Sequence, residues 1–92
     1  MTGMYRGQVV KHEKDGYVKV YVPGVYLDEY RYQPEYLPKA ELAVDLFGGG
    51  TSSDNFVHYP NIGAMVWVFF ANEDQNYPVV WAVIPGGKGS IA

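Results

Sequence analysis

Alternation of apolar and polar positions with a period of two marks both ends of the chain. Tyr5 to His12 (YRGQVVKH) places Tyr5, Gly7 and Val9 on one face and Arg6, Gln8, Val10 and His12 on the other. Glu13-Lys14-Asp15-Gly16 follows, and its Asp-Gly pair is a hairpin signal because glycine takes a positive φ at no steric cost. Tyr17 to Val22 (YVKVYV) alternates again, with Val18, Val20 and Val22 inward and Tyr17, Lys19 and Tyr21 outward. Pro23-Gly24 ends that strand, since proline has no N–H for a ladder. The pattern predicts a β-hairpin.

A second hairpin is predicted near the other end. Pro60-Asn61-Ile62-Gly63 reads as a turn, Met65 to Phe70 (MVWVFF) as a strand, and Asn72 to Asn76 (NEDQN) as a polar loop. Pro78 opens a last strand, Val79 to Ile84 (VVWAVI), and Pro85-Gly86-Gly87 is expected to stop it. Both faces of this pair are apolar. Val66, Val68 and Phe70 can share one face with Val80, Ala82 and Ile84, leaving Met65, Trp67 and Phe69 with Val79, Trp81 and Val83 on the other. Strands apolar on both faces need cover on both sides. Either the middle of the chain or another subunit supplies it.

That middle is too long for a structureless loop in a compact domain. In Ala40 to Phe47 (AELAVDLF), Leu42, Val44 and Leu46 alternate as in a strand, while Leu42, Ala43, Leu46 and Phe47 also fit one face of a short helix after Pro38. The strand is favoured. Gly48 to Asn55 (GGGTSSDN) reads as a flexible loop. Five short strands must close on themselves to hide their edges, so the expected class is all-β: a small five-stranded antiparallel barrel of the OB or SH3 type, with a long connection between two hairpins. Residues 1–85 would form the barrel and residues 86–92 a glycine-rich tail or connector.

Composition narrows the functions open to such a barrel. The chain has 92 residues, 48% hydrophobic and 18% charged, which is one ordered domain. It has no cysteine, so disulfides and thiolate chemistry are excluded. Seven basic against ten acidic residues give a net charge of −3, which argues against binding driven by phosphate neutralisation. No apolar run reaches the roughly 20 residues of a membrane span.

Candidate chemistry is sparse. His12 and His58 have no ligand-like spacing to carboxylates, so no metal is expected. Thr51, Ser52, Ser53 and Ser90 sit in glycine-rich segments without a G-x-S-x-G elbow. Asp28-Glu29 and Glu73-Asp74 read as solvated loop carboxylates rather than a glycosidase pair. Lys88 in Gly86-Gly87-Lys88-Gly89-Ser90 is followed by glycine, not serine or threonine, so no phosphate loop is present, and NEDQN lacks calcium-loop spacing. No cofactor and no catalytic residue is expected.

The remaining clue is aromatic: nine Tyr, four Phe and two Trp. Tyr26, Tyr30, Tyr32 and Tyr36 crowd the segment VYLDEYRYQPEYLP, interleaved only by Arg31 among the acids Asp28, Glu29 and Glu35. Large rings with polar tips suit a protein interface, whereas an aromatic nucleic-acid platform normally comes with a basic groove. These four tyrosines and Met65, Trp67, Phe69 and Trp81 are therefore the expected interface residues.

Two longer patterns resemble a known family. RGQVVKHEKDGYVKVYVPG has the form G-x-V, charged turn, G-x-V-K-V-x-V-P-G, and YPNIGAMVWVFFANEDQNYPVVWAVI the form P-x-I-G-x-x-V-x-V-x-F, acidic loop, x-P-V-V. With LPKAELAV and the GGG loop between them, they are similar to the OB-fold domain of central-spike and baseplate hub proteins of contractile phage tails, and to the valine-glycine-repeat spike proteins of type VI secretion. The resemblance covers Arg6 to Ile84, through short and mostly structural motifs. It implies a structural adapter, a trimer around the tail axis that joins the hub to a β-helical needle. Its partners would be hub and spike proteins, without nucleic acid, and its place the virion, after synthesis in the host cytoplasm. Relatives often continue into a lysozyme domain or needle, so another polypeptide is expected to supply the tip, unless the chain is a stand-alone or truncated relative. The family's middle-strand tryptophan is missing, since Leu37-Pro38 is followed by Lys39, and no residue matches a lysozyme site. The rival expectation is an OB module binding single-stranded nucleic acid or oligosaccharide through Tyr26–Tyr36. A small hydrolase is a third, without a triad to favour it.

Overall fold

The computed structural model describes residues 3–43 and 59–88. Five strands form: β1 (Tyr5–His12), β2 (Tyr17–Tyr21), β3 (Lys39–Leu42), β4 (Ala64–Phe70) and β5 (Pro78–Lys88). They close into a barrel in the order β1-β2-β3-β5-β4, an all-β architecture of the OB type. Four of the pairings are antiparallel, and β3 runs parallel to β5. A ring of five strands cannot be antiparallel throughout, because going round an odd number of reversals brings two neighbours back in the same direction. The expected antiparallel barrel therefore carries one parallel seam.

The first hairpin forms as its sequence requires. Asp15 and Gly16 both have positive φ, 62° and 84°, the requirement of a type I′ turn, and the Tyr17 N–H closes it on the Lys14 carbonyl at 3.3 Å. Val10 is an extra residue in β1, since Val9 pairs with Val20 but Lys11 with Lys19. Such a bulge bends and twists a strand, as barrel closure needs. The core is mostly valine: Val9, Val18, Val20, Val22, Val66, Val68 and Val80 are all fully buried. Branched side chains fill a pleated inner surface with little rotamer entropy to lose.

β2 departs from its expected two-faced pattern. Val18, Val20 and Val22 are buried, but so are the outward residues Lys19 and Tyr21. The cover is the segment between β2 and β3, which makes short 3-10 turns at Asp28–Arg31 and Pro34–Tyr36. Lys19 Nζ donates to the Leu37 carbonyl and the Tyr21 hydroxyl to Asp28 Oδ1. A buried ammonium is tolerable only when so partnered. Asp28 thus has a structural partner rather than solvent alone.

β3 alternates cleanly, with Ala40 and Leu42 buried and Lys39 and Glu41 exposed, so the strand reading of the middle segment holds as far as Leu42. Val44, Leu46 and Phe47 of that reading, the Gly48–Asn55 loop, His58, Thr51, Ser52, Ser53 and Ser90 lie outside the described residues. The Pro60–Gly63 turn forms, with Gly63 at φ 94° and its N–H on the Val9 carbonyl at 2.7 Å. His12 is an anchor for it: Nε2 lies 2.7 Å from the Pro60 carbonyl, and the ring stacks on Tyr59 with centroids 5.0 Å apart.

β5 corrects two expectations. Pro85-Gly86-Gly87 does not stop it, because the strand rejoins β4 where Ala64 pairs with Lys88, an irregular ladder in which a proline's missing N–H is tolerated. Trp81 is also an extra residue, since Val68 pairs with Val80 but Trp67 with Ala82. Paired residues share a face, so the register shift places Ala82 opposite outward Trp67 rather than on the Val66–Val68 face.

Candidate functional site

Among the described residues three surfaces carry chemistry-bearing side chains. The first is the outer face of β1, β4 and β5. Arg6 pairs with Trp67 across the ladder and holds its guanidinium 5.5 Å from the indole centroid. Phe69 meets Trp81 edge to face at 6.1 Å. Trp81 is 55% exposed there, with Trp67 and Phe69 half-buried. Met65, expected on this surface, is buried instead.

The second is the segment covering β2. Tyr26, also expected at an interface, belongs to the core: it meets Phe70 edge to face at 6.4 Å, and its hydroxyl donates to the Gln75 carbonyl at 2.7 Å. Burial, with Asp74 nearby, pushes its pKa far above the ordinary tyrosine value. The Tyr21 pKa is raised first by its hydrogen bond to Asp28, then by burial, since ionising the phenol would set two anions side by side. Tyr30 is half-buried against the core and packs on Tyr36 at 5.6 Å. Tyr32 and Tyr36 remain exposed, and Arg31 lies about 6 Å from the rings of both Tyr21 and Tyr32. Since β2 neighbours only β1 and β3 in the ring, these tyrosines and the Trp81 face are on different sides of the barrel.

The third surface was not predicted. An open groove of about 560 Å³ runs between the outer face of β2–β3 and the β4–β5 loop, lined by Tyr17, Lys39, Glu41, Asn72, Asn76 and Tyr77. Its signal in the sequence is spread over three distant segments, none unusual alone. Tyr17 and Glu41 are cross-strand partners. Lys39 Nζ sits 5.5 Å from the Tyr17 ring centroid. The loop is tied by its own backbone: Ala71 N–H donates to the Tyr77 carbonyl at 2.9 Å, Tyr77 N–H to that of Asp74 at 2.9 Å, and Asn76 N–H to Asp74 Oδ1 at 2.9 Å. Asn72 and Glu73 both take positive φ there, 56° and 58°.

Among the described residues no cluster of three or more His, Asp or Glu is placed to hold a metal ion, and no helix is long and apolar enough to cross a membrane. Compared with models of known protein families and with curated proteins, the chain matches none.

Proposed function

We propose that this protein is a non-enzymatic structural subunit of a contractile phage tail baseplate: an OB-type barrel that self-associates and links hub to spike. The observation that carries the reading is Trp81, 55% exposed on an outer face that also holds Phe69 and Trp67. An exposed indole beside two further rings is costly in a free monomer, which rarely leaves a contiguous apolar patch open. A second copy or a hub protein laid on that face would bury rings worth about 150–250 Å² each. The likeness of the two hairpins to central-spike domains supports a trimer in the virion, with hub and spike proteins as partners and no nucleic acid.

Analytical ultracentrifugation of the full chain tests it. The expected result is an oligomer, trimeric by the resemblance, that falls to monomer in Trp81→Glu while the circular dichroism of the barrel is kept. A strict monomer that also binds no hub or spike protein overturns the reading.

A further inference from the structure

We infer that the exposed side of the β2–β3 connection docks a cationic segment of another protein, one that carries lysine or arginine beside apolar residues. Neither 3-10 turn of the connection buries a residue. Tyr32 is 79% and Tyr36 61% exposed, and Leu27 before them is exposed too. Three acids, Asp28, Glu29 and Glu35, stand against one base, Arg31, in the same stretch. Asp28 accepts from the Tyr21 hydroxyl, and Arg31 lies against the rings of Tyr21 and Tyr32. Glu29 and Glu35 are exposed, and among the described residues neither has an ion-pair partner. A phenol presents a negative π-face, so two open rings beside two open carboxylates favour a cation. The ring bodies and Leu27 favour apolar contact next to it.

The surface is in place before any partner arrives. Tyr36 packs on Tyr30, which is itself backed by the core. The Tyr32 N–H donates to the Glu29 carbonyl at 3.1 Å and the Tyr36 N–H to that of Gln33 at 3.0 Å, while the Lys19 ammonium holds the end of the connection through the Leu37 carbonyl. A segment already fixed needs little further ordering on binding. Charge and topology decide against other occupants. The carboxylates repel nucleic-acid phosphates and anionic lipid headgroups. A peptide added as an extra strand would need a free edge, but β2 is paired on both sides, to β1 and to β3. The Trp81 face lies on a different side of the barrel, so the inference goes beyond the baseplate reading and does not rest on self-association.

NMR titration of the full chain with an alternating arginine–leucine hexapeptide, and with its glutamate–leucine counterpart, tests the inference. Saturable shifts of the amides of residues 27–36 are expected with the arginine peptide alone, weakening as salt is raised. The double variant Glu29→Gln/Glu35→Gln is expected to weaken binding by roughly tenfold. Glu13→Gln/Asp15→Asn, which removes the same charge at the other end of β2, should leave it unchanged. Tyr32→Ala is expected to weaken it severalfold and carries the test if the double glutamate variant does not fold. No binding at millimolar concentration, equal loss in the control variant, or undiminished binding in both surface variants overturns the proposal. So does loss of self-association in Glu29→Gln/Glu35→Gln, which would assign the surface to a second copy. A strict monomer that binds no hub or spike protein, yet binds the arginine peptide here, would defeat the baseplate reading and leave this one standing.

Discussion

At Gly7 the barrel wall has no room for a side chain. A Cβ there would lie 3.1 Å from Val68 Cγ2, 3.3 Å from Val22 Cγ2 and 3.3 Å from the Tyr21 carbonyl oxygen. The methyl groups could rotate, but the carbonyl is held in the β1–β2 ladder. Gly7→Ala is therefore expected to cost about 1–3 kcal/mol, the range for overpacking a tight core. It should appear as a lower urea midpoint with an unchanged slope. In the sequence Gly7 is only one inward position of an alternating strand; the crowding arises from β1 lying between β2 and β4. Trp81 shows the converse: alternation already places it on the outer face, but does not show the register shift after it that brings Ala82 opposite Trp67 as well.

Among the elements, the β2–β3 connection does most to change the expected picture. It hides one end of the outer face of β2, and two phenols pin it: Tyr21 to Asp28 and Tyr26 to the Gln75 carbonyl. Both have pKa values raised in the folded state, while the unfolded chain ionises at its ordinary value of about 10. Their contribution to stability is thus fully present below about pH 10 and is lost as pH rises through the elevated folded values. Urea unfolding from about pH 9 to about pH 12 should show falling stability, with a shallower fall in Tyr26→Phe. A stability flat across that range would contradict the role given to these phenols. That the segment contains four crowded tyrosines was legible; that Tyr26 goes inside while Tyr32 stays out was not, because proline-punctuated irregular chain has no period from which to read a face.

For the molecule as a whole, closure rests on the seam between β3 and β5. Among the described residues Glu41–Val79 and Leu42–Val80 pair there, extended by the Ala43 N–H on the Val80 carbonyl at 2.9 Å, whereas β4 and β5 pair along nearly the full length of β4. Local opening follows the weakest ladder. In native-state hydrogen exchange the Ala43 amide should exchange faster than those of Val66 and Val68, and equal protection would mean that the barrel opens only as a unit. The same closure creates the groove, since it sets Lys39 and Glu41 of β3 beside Asn72, Asn76 and Tyr77 of the β4–β5 loop.

By itself the sequence determined what is local: the Asp-Gly turn, the alternating valines, the Pro60–Gly63 turn and the apolar excess of the last two strands. A period of two and a residue's tolerance for positive φ act over a few bonds and need no partner to be read. Which outward face is covered, where a bulge shifts the register, which neighbours run parallel and which distant polar residues share a groove were settled only in the tertiary structure. Each depends on closing five strands into a ring, and that closure is set by packing between segments tens of residues apart.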